Sequence, residues 1–195
     1  MITVGITGGI GSGKSTIANF YEIAGYPVYY ADVRSKWLLN NDIEVRNQLI
    51  ANFGEEIYPE YLDRQALANI VFTDSEALKK LNAISHPAIE KDFKKWRSAQ
   101  NTPIIFKEAA ILFESGSYKN VDKTICVTAP EITRIKRVIQ RDQTTAIQVQ
   151  ERMNNQWSDE DKIALSDYVI TADDIKLVIP QALEILNNLI EQVNL

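Results

Sequence analysis

Gly8-Gly9-Ile10-Gly11-Ser12-Gly13-Lys14-Ser15 satisfies the pattern G-x-x-x-x-G-K-[ST]. A short β-branched run, Ile2-Thr3-Val4-Gly5-Ile6-Thr7, precedes it, and a helical pattern from Lys14 to about Ala24 follows, closed by Gly25. Strand, glycine loop and helix in that order form the context in which this pattern holds phosphates. Glycines let backbone N–H groups approach phosphate oxygens with no Cβ in the way. Lys14 brings a flexible point charge to the β and γ phosphates, and the Ser15 hydroxyl is a hard oxygen ligand for Mg²⁺. Thr16 is placed to reach the α-phosphate, and the helix N-terminus adds its positive dipole end. A plain glycine-rich turn is the alternative, and the strand-before, helix-after context weighs against it. The stretch implies binding of a nucleoside triphosphate through Gly11, Ser12, Gly13, Lys14, Ser15 and Thr16.

Outward from the loop, extended and helical segments alternate. Val28-Tyr29-Tyr30-Ala31, Ile104-Ile105-Phe106, Lys123-Thr124-Ile125-Cys126-Val127-Thr128 and Tyr168-Val169-Ile170-Thr171 read as further strands. A mostly helical stretch from about Val33 to Gln100 is broken at Gly54, at Tyr58-Pro59 and at Ser85-His86-Pro87. Pro130 sits at the expected N1 of a helix running to about Arg141, and a Gln-rich helical stretch covers about Thr144 to Leu165. The last helix is predicted to bury Ile175, Ile179, Leu183, Leu186, Ile190 and Val193. Such alternation implies right-handed crossovers and a parallel sheet covered on both faces. Strands one, three and four are nearly continuously apolar, as strands buried on both sides should be. The expected fold is α/β: a three-layer sandwich on a five-stranded parallel sheet, of the P-loop nucleotide and metabolite kinase type. One domain is expected over 1–195, with its core at about 1–32, 101–141 and 166–195.

Composition sets the outer bounds. Of 195 residues, 45% are hydrophobic and 24% charged, which excludes disorder as the main state. A net charge of −5 lowers the weight of a nucleic-acid partner. Cys126 is the single cysteine and suits a reducing compartment. The opening residues carry no basic n-region, and no run approaches the roughly 18–20 apolar residues of a membrane span. The expectation is a cytoplasmic protein with no nucleic-acid or membrane partner, monomeric or weakly homo-oligomeric.

The D-x-x-G and N-K-x-D strings of switch GTPases do not occur, nor does an L-S-G-G-Q-like signature. The helix at 131–141 holds Arg134, Lys136, Arg137 and Arg141 against Glu131. A solvated helix face is the bland reading; beside a phosphate loop, the cluster predicts Arg137 or Arg141 on phosphates. Asp32 follows strand two at the edge where open parallel sheets bind ligands. It can accept the proton of an attacking hydroxyl or orient a metal-bound water, with N-cap of a helix from Val33 as the alternative. Glu108 follows strand three and is either a partner of Mg²⁺ through water or an exposed strand-end carboxylate. His86, the only histidine, lies at an expected helix start, where packing or capping is the bland reading. Cys126 should be core, and Tyr21, Tyr26, Tyr29, Tyr30 and Trp37 are expected mostly in the core, with an acceptor pocket as the alternative.

These residues together resemble the dephospho-coenzyme A kinase family. Thr7 through Thr16 looks like its opening block; Ala31-Asp32, Leu62 with Arg64 and Leu67, Leu81-Asn82 with His86-Pro87, and Ile111-Leu112-Phe113-Glu114 continue the match. Arg137, Gln140-Arg141-Asp142, Arg152 with Gln156, and Asp167 with Val169-Ile170 complete it over nearly the full chain. The resemblance implies transfer of the ATP γ-phosphate to the ribose 3′-hydroxyl of dephospho-CoA, with ATP and Mg²⁺ required. It implies Lys14, Asp32 and Arg141 as catalytic, Arg137 on ATP, and Thr7, Asp32, Arg64, His86 and Glu114 on the acceptor side. It further implies an acceptor-binding insert at about 33–100 and a lid at about 142–165. The chain departs from the family pattern at Tyr30, Glu108, Ala110 and Ala172. The rival readings are another small-molecule kinase, of nucleoside monophosphate or shikimate type, and a non-catalytic ATP-binding regulator.

Overall fold

The computed structural model describes residues 1–193. In chain order its elements are β1 (Ile2–Thr7), α1 (Lys14–Ile23), β2 (Val28–Tyr30), α2 (Ala31–Asn41), α3 (Ile43–Phe53), α4 (Arg64–Thr73) and α5 (Ser75–Ser98). They continue with β3 (Ile104–Glu108), β4 (Lys123–Thr128), α6 (Glu131–Asp142), α7 (Ala146–Asn154), α8 (Asp159–Ala164), β5 (Tyr168–Thr171) and α9 (Val178–Val193). Two compact units share them: residues 1–30 with the described residues from 100 onward, and residues 31–99.

In the first unit the five strands pair in parallel, in the order β2-β3-β1-β4-β5. Val4 and Ile6 of β1 join Ile17, Ala18 and Tyr21 of α1 and Ala182, Ile185, Leu186 and Leu189 of α9 in one core. Side chains alternate along a strand, so Gly5 faces the opposite layer. There Leu112 packs so closely that a Cβ on Gly5 would lie 2.6 Å from its Cδ2. Tyr21 stacks on Phe106 with ring centroids 4.0 Å apart. Cys126 is fully buried in β4, where burial pushes its thiol up to about 11, so the lone cysteine belongs to the core.

The second unit is a helical module with its own core of Val45, Leu49, Phe53, Ile57, Leu67, Val71 and Ile84. Asp42, Asp63 and Asp74 cap α3, α4 and α5 by accepting hydrogen bonds from first-turn N–H groups. Gly54 ends α3.

The structure corrects several expectations. His86 is not at a helix start: α5 runs unbroken through Ser85-His86-Pro87. An interior proline costs about 3 kcal/mol, and the buried contacts of Ala77, Ile84 and Phe93 on either side of Pro87 offset it. Asp32 is not an N-cap, because α2 starts at Ala31 and takes Asp32 into its first turn. Pro130 is the N-cap of α6, one position ahead of the expected N1. The last helix buries half of the expected set. It starts at Val178; Leu186 is buried and Ile190 and Val193 pack against the same core, joined by Ala182, Ile185 and Leu189, while Ile175 is 87% exposed and Ile179 and Leu183 also face water. Trp37 is exposed as well, under the Arg34 guanidinium at 4.5 Å, while Tyr21 and Tyr29 are core.

Candidate active site

The carboxyl ends of three strands line up through the ladders: Tyr30 of β2 lies opposite Glu108 of β3, and Glu108 opposite Ile6 of β1. From this edge the chain leaves β1 and enters the glycine loop. Gly8, Gly11 and Gly13 take φ values of +146°, +80° and +101°, a region side chains with a Cβ rarely adopt. Close approach matters too: a Cβ on Gly8 would lie 2.0 Å from the Val127 carbonyl oxygen, and one on Gly9 2.1 Å from Arg134 Nη2. The Gly9 carbonyl accepts from the Ser12 N–H at 3.1 Å and from Lys14 Nζ at 3.3 Å, which folds the buried lysine back over the loop.

The Ser12 side chain is fully buried, and its hydroxyl has no hydrogen-bond partner among the described residues. Such a group costs about 1–3 kcal/mol unless something fills its valence. A phosphate oxygen is the kind of acceptor that would do so. Ser15 and Thr16 open α1 with exposed side chains. Mg²⁺ takes few protein ligands and completes its octahedron with phosphate oxygens and water. Ser15 fits that role, and no cluster of three acidic, His or Cys groups exists among the described residues to hold the ion instead.

Around the loop, the basic face of α6 divides its labour. Arg134 is buried; its Nε donates to the Ile10 carbonyl at 3.0 Å and its Nη1 to Asp159 Oδ1 at 2.7 Å. Asp159 Oδ2 in turn accepts from Thr128 Oγ1 at 2.6 Å. Arg137 reaches the Gly11 carbonyl at 3.4 Å and the Ala172 carbonyl at 3.0 Å, and it pairs with Asp174. Arg141 lies apart, on Asp142, which also receives Arg152 at 3.0 Å. The Arg141 and Arg152 guanidinium groups hold the Asp142 carboxyl below the usual range. Arg134 stands in the basic cluster of 131–141, from which the sequence singles out Arg137 and Arg141 for phosphates and not Arg134. Its spacing of four from Val138, the other buried residue of α6, was the available signal.

A family model for dephospho-CoA kinases matches residues 2–176. The chain belongs to the dephospho-CoA kinase family. A dephospho-CoA kinase of Bacteroides fragilis is 37% identical over 99% of this chain and 95% of its own length. Among solved structures, one from Thermus thermophilus is 31% identical with a TM-score of 0.86, covering 98% of this chain and 97% of its own. The dephospho-CoA kinase of Campylobacter jejuni is 25% identical with a TM-score of 0.69, covering 99% of this chain and 98% of its own.

The remaining predicted residues of this dephospho-CoA kinase family member fall as follows. Thr7 is buried at the end of β1, its hydroxyl 3.5 Å from the Ala110 carbonyl. Glu108 is buried at the end of β3 rather than exposed. Glu114 accepts from the Trp157 N–H at 3.0 Å and pairs with Lys162, and its second carboxylate oxygen is buried without a partner. Asp32, Arg64 and His86 belong to the helical unit. Arg64 is exposed at the start of α4, and burial holds the His86 imidazole below 6.5.

Proposed function

We propose that the protein transfers the γ-phosphate of ATP to the ribose 3′-hydroxyl of dephospho-CoA, giving CoA and ADP. The observation that carries this reading is the phosphate cradle itself. A buried, unpartnered Ser12 hydroxyl, a folded-back Lys14 and three left-handed glycines stand between β1 and α1 in a member of this family. Lys14 leaves the Gly9 carbonyl for the β and γ phosphates, while Gly11 to Thr16 hold the triphosphate. Arg137 joins them on the phosphate side. A cavity of about 400 Å³, bounded by Gly13, Thr16, Arg137, Ala172 and the exposed Ile175 and Leu177, offers apolar walls for the adenine. Ser15, with Glu108 through a water, would hold Mg²⁺ beside the phosphates, where the ion would supply charge neutralisation for the transferring group.

On the acceptor side, Asp32 orients the 3′-hydroxyl and takes its proton. Thr7, Arg64, His86 and Glu114 complete the binding of dephospho-CoA. The helical unit serves as the acceptor module, residues 142–165 serve as a lid carrying charge stabilisation from Arg141, and a reducing, cytoplasmic setting suits the buried free thiol of Cys126. The test is direct. Incubation with ATP, Mg²⁺ and dephospho-CoA should yield CoA and ADP, and Lys14→Ala should lose about 2.7–4 kcal/mol of barrier lowering. Turnover of a nucleoside monophosphate or shikimate in place of dephospho-CoA would overturn the assignment.

A further inference from the structure

Ile10 stands at the outer turn of the glycine loop, and both of its peptide groups are taken by side chains from other elements. Its N–H donates to Gln156 Oε1 at 2.8 Å, and its carbonyl accepts from Arg134 Nε at 3.0 Å. Gln156 lies between α7 and α8, distant in sequence from the loop.

A trans peptide is planar, and its C=O and N–H point in opposite directions. All peptides of the described chain are trans. Holding the Ile10 N–H therefore aims the Gly9 carbonyl the opposite way, where it receives the Ser12 N–H and Lys14 Nζ. Holding the Ile10 carbonyl likewise turns the Gly11 N–H away from the Arg134 guanidinium. Arg134 is itself fixed by Asp159, which is held by Thr128 at the end of β4. Two successive peptide planes of the loop are thus set from outside it, one by a charged, buried network and the other by a single half-buried amide.

We propose that Gln156 is a positioning residue for phosphoryl transfer: through the Ile10 N–H it sets the peptide plane on which Lys14 rests and orients the leading half of the phosphate loop. This rests on the kinase reading above. Gln156 touches no reacting atom, and its effect runs through the backbone. The backbone of Lys14 to Thr16 is anchored in α1, so only the resting place of the Lys14 ammonium on the Gly9 carbonyl passes through this contact. Loss of the contact should therefore lower turnover more than it weakens ATP binding.

Three proteins decide the matter: the parent, Gln156→Met, which keeps length and removes the acceptor, and Gln156→Glu, which keeps an acceptor oxygen. Amide hydrogen exchange is measured on the ligand-free proteins, and steady-state kinetics with ATP and dephospho-CoA. In Gln156→Met, exchange at Ile10 should accelerate roughly three- to tenfold, the range spanned by one neutral hydrogen bond. Its kcat should fall by a similar factor, with the acceptor KM unchanged. Gln156→Glu should retain the protection of Ile10. Unchanged protection in Gln156→Met overturns the proposal, as does faster exchange with unchanged kcat, or a loss confined to the acceptor KM. A parent protein inactive toward dephospho-CoA counts against the kinase reading instead, and the exchange comparison then decides whether Gln156 holds the loop.

Discussion

Lys162 Nζ lies 2.9 Å from Glu114 Oε1, with the lysine side chain wholly excluded from water and the glutamate 13% exposed. The same ammonium donates to the Ala110 carbonyl at 3.3 Å, and Glu114 Oε1 also accepts from the Trp157 N–H. One buried pair thus ties α8 to the turn after β3, the turn on which Thr7 also rests.

Removing one partner of such a pair strands the other charge. Lys162→Met should destabilise the protein by about 3–5 kcal/mol, whereas Lys162→Met with Glu114→Leu should recover much of the loss. Urea unfolding of both variants checks this, and a single variant as stable as the parent would contradict it.

The two leading glycines should differ sharply. Gly8→Ala places a methyl against a backbone oxygen at 2.0 Å and forces φ +146° on a residue with a Cβ. It should cost at least about 3 kcal/mol. Gly9→Ala meets the guanidinium of Arg134 rather than backbone, so it must displace that group from Ile10 and Asp159 but forces no left-handed φ. The variant should fold, with Arg134 displaced from Ile10 and turnover reduced. Thermal melts and kinetics of the pair separate the two outcomes.

Asp32→Asn keeps the size of the side chain and removes its charge. If Asp32 takes the 3′-hydroxyl proton, single-turnover phosphorylation at saturating ATP should fall by about 10²–10⁴-fold while ATP affinity stays near the parent's. A rate within about threefold of the parent's would shift the role to another carboxylate, Glu108 first.

His86 gives stability a pH dependence of known sign. Burial lowers its pKa below 6.5, so the folded chain holds it neutral while the unfolded chain takes up a proton more readily. Its contribution is complete above 6.5 and is lost as pH falls from there through the folded value. Below that it levels off. His86→Gln should flatten this part of the curve, measured by urea unfolding across the interval. An unchanged slope would assign the acid sensitivity to other groups.

The fold was legible where one local pattern decides the structure. Residues 2–16 carry strand, loop and helix signals that agree, and β3 and β4 hold the apolar runs Ile104-Ile105-Phe106 and Ile125-Cys126-Val127. The sheet order was not legible, because hydrophobic periodicity says which face is buried and not which strand lies alongside. In the last helix Leu186, Ile190 and Val193 were legible, but Ile175 lies in the turn capped by Asp173, ahead of Val178, so counting from it added Ile179 and Leu183, which face water. Pro87 read as a break because a local rule cannot weigh the packing of a long capped helix. In the site, the loop stood out by its glycines and lysine. Arg134 and Gln156 did not, since what singles them out is their reach to Ile10 across more than a hundred residues.

The pairing of β1 with β3 has a consequence for how the chain folds. Ile2 meets Ile104 in that ladder, and the helical unit with its own apolar core lies between them in sequence. Its contacts are local and should form early, whereas the central ladder must wait for ends separated by that whole stretch. Each doubling of an open loop adds about 0.6 kcal/mol to the entropy of closing it, so collapse of α2 to α5 shortens the effective tether before β3 docks. Variants that loosen the helical core, such as Leu49→Ala, should therefore slow assembly of a sheet whose residues they leave untouched.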